Sequence, residues 1–275
     1  MQTVAIFGVG LIGGSFGLAV KKAGFTGEVL GVSSARTIAE ALAAGAIDWG
    51  ASMEEACGAA DLIYLAQPIG RILDLLPLID PLVREGALIT DAGSTKSAIA
   101  ECAASSIRRA QFLGGHPMAG KETRGAAAAD ADLFRGRTYV LTPASAQEMT
   151  TSIAADFVRW LEKIGADVIT MDAASHDLLV AFTSHLPQLA STALAETVDG
   201  RGDTRVAGSG LLDTTRLALS AYDIWKDIIA TNRENIAEAL DSYIEQLALI
   251  RGRLDSPLLA EDFEKASRFR AGLKS

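Results

Sequence analysis

Within its first 24 residues the chain passes from a β-branched apolar run, through spaced glycines, into a helical pattern: TVAIFGVGLIGGSFGLAVKKAG. Gly8, Gly10 and Gly13 fit the spacing G-x-G-x-x-G. Each glycine has its own task in such a turn. The first allows the tight bend, the second lets a ligand approach the backbone, and the third lets helix pack on strand. A helix opening near Leu11 and Ile12 then presents unpaired N–H groups, which suit phosphate oxygens. Strand, glycine turn and helix in this order restrict the chain to an α/β layout more than any other feature.

The alternation continues. EVLGV, DLIYLAQP, GALITDAGS, QFLGGHP and RTYVLTP read as strands. IGRILDLLPLIDPLV, broken by its prolines, and TKSAIAECAASSIRRA read as helices. Strands alternating with helices imply right-handed crossovers and a parallel sheet, here a Rossmann dinucleotide-binding domain over residues 1–147. Ligands of such sheets bind beyond the carboxyl ends of the strands, where Pro68, Ser94 and His116 fall. The end of the second strand, GVSSAR, carries Ser33, Ser34 and Arg36 and no acid. An acid there would bond a ribose 2′-hydroxyl, whereas hydroxyls and an arginine suit a 2′-phosphate. The cofactor expected is NAD or NADP, with NADP favoured.

From residue 148 to 275 the pattern turns helical, after a helix over 148–164 and the short run ADVITM. Its Ala- and Leu-rich faces suggest a dimer interface. The tail after Leu254 reads either as a last helix or as a frayed end. A net charge of −9 without basic blocks argues against nucleic acid and anionic membrane as partners. No uninterrupted run reaches the ~18 apolar residues of a membrane span, and the start has no basic n-region, so a cytoplasmic protein is expected. Cys57 and Cys102 form no metal-ligand pattern and read as buried free thiols. No metal site is expected.

His116 is one of three histidines. It is either a turn residue or a group that works near neutral pH. His176 and His185, nine residues apart, fall on opposite faces of an undistorted helix and cannot share one metal from it.

Together GVGLIGGS, DAGSTK, GGHPMAGKE, HDLLVAFTSHLPQ and DTTRLALSAYDIWKDI resemble the prephenate and arogenate dehydrogenases of tyrosine biosynthesis, in the family's order. The resemblance implies a Rossmann domain followed by a helical dimerisation domain. It also implies oxidative decarboxylation of a 4-hydroxycyclohexadiene, prephenate or arogenate, with hydride passing to NAD(P)+. His116 matches the catalytic histidine, and an imidazole suits removal of the 4-hydroxyl proton. Ser94 matches the serine that orients it. Arg216 matches an arginine that binds a substrate carboxylate, and Asp213 one turn earlier is expected to hold it. His176, Ser184 and Trp225 match further substrate-pocket positions.

Gln188 departs from the family, whose members often carry histidine there against the substrate side chain. Glutamine donates a hydrogen bond but carries no charge, which opens the pocket to arogenate. At this length no appended mutase or regulatory domain is expected. The competing readings are another two-domain dehydrogenase, of the β-hydroxyacid or imine reductase type, and a non-enzymatic dinucleotide sensor. The first expects a K-x-x-x-N helix that SGLLDTTRLALSAYDIW lacks. The second has no need of His116, Ser94 and Arg216 together.

Overall fold

Eight strands form one sheet: β1 (Thr3–Phe7), β2 (Glu28–Val32), β3 (Trp49–Gly50), β4 (Leu62–Leu65), β5 (Leu88–Asp91), β6 (Gln111–Pro117), β7 (Thr138–Thr142) and β8 (Asp167–Thr170). The computed structural model describes residues 1–121 and 123–273, except for the side chain of Thr204. Glu122 of the GGHPMAGKE motif and the last two residues of the tail lie outside the described residues.

The strand order is β3-β2-β1-β4-β5-β6-β7-β8. The chain winds outward on one side of β1, then returns to start the other side with β4. A crevice opens at that reversal, past the carboxyl ends of the strands. The crossovers carry α1 (Leu11–Lys22), α2 (Ala35–Ala43), α3 (Met53–Ala59), α4 (Ile69–Ile79), α5 (Ser97–Ser106) and α6 (Ser152–Lys163). One departure from the expected parallel sheet is β7, which pairs antiparallel with β6. Among the described residues between them the helical structure is a single 3-10 turn, Ala126–Ala128, rather than the crossover helix a parallel return normally uses. Under the sheet, Phe16 stacks on Tyr64 at 4.1 Å, and the hydroxyl of Tyr139 reaches that of Tyr64 at 3.2 Å.

Helix α4 runs through Pro77 instead of breaking there. Proline has no N–H to give the carbonyl four residues back, which is that of Leu73. The Cys102 thiol on α5 lies 3.6 Å from that oxygen and donates to it. Cys102 is thus half-buried with a local use, while burial pushes the Cys57 thiol up to about 12.

The chain divides into two compact units, Met1–Val180 with Leu219–Asn232, and Ala181–Ala218 with Arg233–Ser275. The boundary expected at 147/148 therefore falls short. α6 and β8 extend the sheet unit, because β8 pairs with β7 from Thr138↔Asp167 to Leu141↔Thr170. The sheet unit also holds α7 (Ala173–Val180) and α10 (Tyr222–Thr231). The helical unit holds α8 (Leu186–Val198), α9 (Ser209–Thr215), α11 (Arg233–Gly252) and α12 (Leu258–Gly272). The tail after Leu254 is thus a helix over most of its length.

Between α7 and α8 a single π turn, Ala181–His185, precedes Pro187. A wider turn relieves the clash of a proline ring with the preceding carbonyls. Across it the placing of His176 and His185 on opposite faces, which assumes an undistorted helix, no longer holds. Within the run 173–198 an 18-residue window reaches a mean hydropathy of 1.2, so by length and composition the run is apolar enough to cross a membrane. Counting uninterrupted apolar residues misses it, since leucines and alanines raise the average around polar residues such as His185 and Gln188.

Candidate active site

The glycine turn has the shape its spacing implies. Gly8 sits at φ +88°, and a Cβ there would lie 2.5 Å from the Ala66 carbonyl oxygen. A Cβ at Gly13 would lie 2.2 Å from the Gly8 oxygen, so helix and turn touch. A Cβ at Gly10 would meet nothing within 4 Å, and Gly10 caps α1 without a side-chain bond. The turn is closed where backbone packs and open where a diphosphate would approach.

A cavity of about 360 Å³ continues from this turn along the carboxyl ends of β1, β4 and β5. Ile12, Gln67, Pro68, Gly93 and Ser94 line it, together with Asp227 from α10. Pro68 caps α4, whose second amide, that of Gly70, donates to Asp227 Oδ2 at 2.9 Å. Gln67 Oε1 is buried and has no hydrogen-bond partner among the described residues. An open glycine turn, a crevice at the strand reversal and a buried polar oxygen beside it fit a nicotinamide dinucleotide.

At the end of β2 the expected groups serve more local ends. Ser34 caps α2 by accepting from Thr37 N at 3.3 Å, and Arg36 lies 3.7 Å from Glu40 while 88% exposed. Ser33 is exposed beside them.

Beside the cavity a buried polar network joins β5, β6, α5 and α7. Asp91, fully buried, accepts from Gly93 N at 2.8 Å and Gly115 N at 3.1 Å. Lys96 is buried against it, donating to Asp91 Oδ2 and, at 2.7 Å, to the Gly115 oxygen. Burial pushes the Lys96 ammonium down, while the carboxylates of Asp91 and Asp177 pull it back up. Asp177 receives the first amides of α5, from Lys96 N at 2.7 Å and Ser97 N at 2.8 Å. Its Oδ1 also lies 2.8 Å from His176 Nδ1. Burial raises the Asp177 carboxyl, but the bonds from His176, Ser97 and Lys96 outweigh it and hold the group below the ordinary carboxylate range. His176 Nε2 in turn lies 2.9 Å from His116 Nδ1. Three ionisable groups thus form one chain ending at His116.

This corrects one expectation. His176 is 1% exposed, with both ring nitrogens engaged by Asp177 and His116, so it stands behind His116 rather than against a substrate. Asp177, Asp91, Lys96 and Gln67 carry much of this geometry and escaped sequence reasoning. The signal was present in part, since Asp91 and Lys96 bracket DAGSTK and Asp177 follows His176 directly. Trp225, also in the sheet unit, donates to Ser220 Oγ at 2.9 Å.

In the helical unit, Arg216 follows α9 directly and opens a 3-10 turn, Arg216–Leu219, one helical turn after Asp213. Ser184 lies half-buried in the π turn. Gln188 is 5% exposed, and its amide donates to the Leu217 oxygen at 2.9 Å. That is a correction too: the donor expected against a substrate side chain is used on the backbone beside Arg216. Ser191 Oγ accepts from Ala218 N at 3.1 Å, a second tie on the same turn. Among the described residues no group of three or more His, Cys, Asp or Glu could hold a metal ion.

Two family descriptions match nearly the whole chain. Residues 16–170 match the prephenate dehydrogenase nucleotide-binding domain, and residues 172–270 match the prephenate dehydrogenase dimerization domain. A prephenate dehydrogenase of Lactococcus lactis is 34% identical over 285 residues, covering 100% of this chain and 78% of that protein. The crystal structure of prephenate dehydrogenase from A. aeolicus, in complex with hydroxyphenyl propionate and NAD+, superposes with a TM-score of 0.90 at 28% identity, over 100% of this chain and 99% of that one. Synechocystis arogenate dehydrogenase superposes at 0.83 with 28% identity, over 98% and 99%. With its glycine turn, its buried histidine pair and both halves matched in order, the chain belongs to the prephenate dehydrogenase family of oxidoreductases.

Proposed function

We propose that the protein oxidises a 4-hydroxycyclohexadiene carboxylate, prephenate or its amino counterpart arogenate, in tyrosine biosynthesis. In this reaction the C4–H bond breaks as hydride and the hydroxyl O–H bond breaks as a proton. The bond to the ring carboxylate breaks to release carbon dioxide, its electron pair passing into the ring, which becomes a phenol. A bound nicotinamide supplies the hydride acceptor. His116 takes the hydroxyl proton, as a neutral imidazole can. The observation that carries this reading is the hydrogen bond between His116 and His176 at 2.9 Å, itself backed by Asp177. A turn histidine needs no such support.

The other roles follow the family pattern residue by residue. Ser94, on the cavity wall, orients the histidine and the reacting groups. Arg216 binds a carboxylate through its planar guanidinium, with Asp213 holding it, and Ser184 and Trp225 are further substrate contacts. Gly8, Gly10, Leu11, Ile12 and Gly13 hold the diphosphate, and Pro68 borders the nicotinamide end.

We also propose NADP over NAD, supported by the absence of an acid after β2 and by the exposed Ser33, Ser34 and Arg36. The active form is a homodimer through the helical unit, which exposes Leu212, Ile244, Phe263 and Phe269, and it works in the cytoplasm. Reduced-cofactor formation from prephenate, arogenate and a simple 3-hydroxyacid, each with NAD+ and NADP+, tests the reading. Turnover of the 3-hydroxyacid alone would move the protein to the β-hydroxyacid class. A monomeric mass by light scattering at micromolar concentration would remove the dimer.

A further inference from the structure

We propose that Asp177 and His176 are positioning residues that hold neutral His116 with its proton on Nδ1, so that Nε2 is the basic nitrogen. The inference rests on the reading of His116 as the base and specifies which of its two atoms acts.

The direction of each hydrogen bond follows from the end of the chain inward. Asp177 Oδ1 can only accept, because an ionised carboxylate has no proton to give. It stays ionised at the N-terminus of α5, where two amides point at its oxygens at 2.7 and 2.8 Å. The 2.8 Å bond to His176 therefore needs a proton on His176 Nδ1. A neutral imidazole has one N–H, so His176 Nε2 carries the lone pair. It lies 2.9 Å from His116 Nδ1, which must then be the donor. His116 is left with its lone pair on Nε2. Free imidazole side chains in water favour the opposite tautomer, with the proton on Nε2, so the buried network has to select the active one.

The network is also anchored from several sides. Asn232 Nδ2 donates to the Asp177 backbone oxygen at 2.7 Å, and Thr95 and Thr231 hydroxyls meet at 2.7 Å. Lys96, whose amide caps Asp177, fixes the Gly115 carbonyl next to His116 with its ammonium. The carboxylate, both rings and the strand end that carries the base are tied to one another. A doubly protonated His176 would reverse the second bond and put the His116 proton on Nε2.

The test is nitrogen-15 NMR of protein labelled at histidine. With three histidines the ring signals are assigned by single substitutions, and no substrate is needed. Above the pH at which His116 loses its charge, the wild type is expected to show protonated Nδ1 and unprotonated Nε2 on His116. Asp177→Asn can turn its amide group toward His176 Nδ1, which moves the His176 proton to Nε2 and switches His116 to the Nε2–H form. Its kcat falls about 10²–10⁴-fold while the dissociation constant of the cofactor stays within twofold, as for a base held in the wrong tautomer. His176→Gln keeps an acceptor for His116 Nδ1 without Asp177, so His116 retains the Nδ1–H form and kcat falls less than tenfold. Where Asp177→Asn does not fold, the wild-type His116 tautomer alone decides the inference. A wild-type His116 in the Nε2–H form, or a tautomer unchanged by Asp177→Asn, overturns the inference. An Nδ1–H His116 in a protein inactive on both cyclohexadienes upholds it and overturns the proposed substrates.

Discussion

Asp91 Oδ1 accepts the amide of Gly115 at 3.1 Å, so the turn after β5 and the strand end carrying His116 share one buried carboxylate. The other oxygen takes Gly93 N, next to Ser94, and the Lys96 ammonium. Two groups assigned to the chemistry, Ser94 and His116, each sit one residue from an amide that Asp91 fixes. Lys96 neutralises that carboxylate at 1% exposure.

The first prediction concerns this pair. Lys96→Met leaves the Asp91 charge buried with two amide donors and no counter-ion. Removing one partner of a buried ion pair costs about 3–5 kcal/mol. The urea midpoint should fall accordingly with little change in slope. A midpoint within the error of the wild type would mean that the two amides alone satisfy Asp91.

The second is His116→Asn. The asparagine amide reaches about where Nδ1 was and can still donate to His176, but nothing replaces Nε2. Turnover should fall about 10²–10⁴-fold. Cofactor affinity, read by quenching of tryptophan fluorescence, should not move. Wild-type turnover would return His116 to the status of a turn residue.

The third follows from Asp177. Its folded pKa lies below its unfolded value, since bonds from His176, Ser97 and Lys96 outweigh burial. Such a group contributes stability that is fully present above the unfolded pKa, about 4, and is lost as pH falls through the lower folded value. Asp177→Asn should therefore be less stable than the wild type at pH 7. The gap should narrow in acid, where the wild type loses what Asp177 contributed. Urea midpoints at several pH values between 3 and 7 measure it, and a gap constant across them would contradict the linkage.

Local pattern made much of this legible. β6 runs from Gln111 to Pro117, the span of the QFLGGHP run, because its apolar residues and flanking signals leave one choice. The glycine turn is legible for a related reason: strand, spaced glycines and helix follow one another directly in the sequence. The direction of β7 was not legible, since periodicity gives a strand but no partner, and the loop before it lacks the helix that sets a parallel return. Nor was the role of His176. Its partners, Asp177 one residue away and His116 sixty residues away, meet only through tertiary packing. Buried Lys96 was hidden likewise, because a lysine before a helix reads as solvated until a carboxylate is found under it.

The last prediction concerns Gln188, whose amide donates to the Leu217 oxygen at 2.9 Å. A glutamine so engaged acts on the Arg216–Leu219 turn, and through it on Arg216. Removing one buried neutral hydrogen bond costs about 0.5–1.5 kcal/mol, whereas losing a charge-assisted one costs about 1.5–3 kcal/mol. Gln188→Ala should therefore raise KM about 2–12-fold and Arg216→Ala by more, about 10–150-fold, with kcat nearly unchanged in both. The double variant should resemble Arg216→Ala alone, since a misplaced turn no longer matters once its guanidinium is gone. Gln188→His separates this from a direct contact. A histidine whose N–H replaces the amide toward Leu217 leaves the ratio of kcat/KM for prephenate and arogenate within twofold at pH 6 and pH 8. A histidine against the substrate side chain would instead place a cation there below its pKa, favouring prephenate, whose side-chain carboxylate has no ammonium beside it. A shift toward prephenate that grows as pH falls, with additive effects in the double variant, would put residue 188 in contact with the substrate.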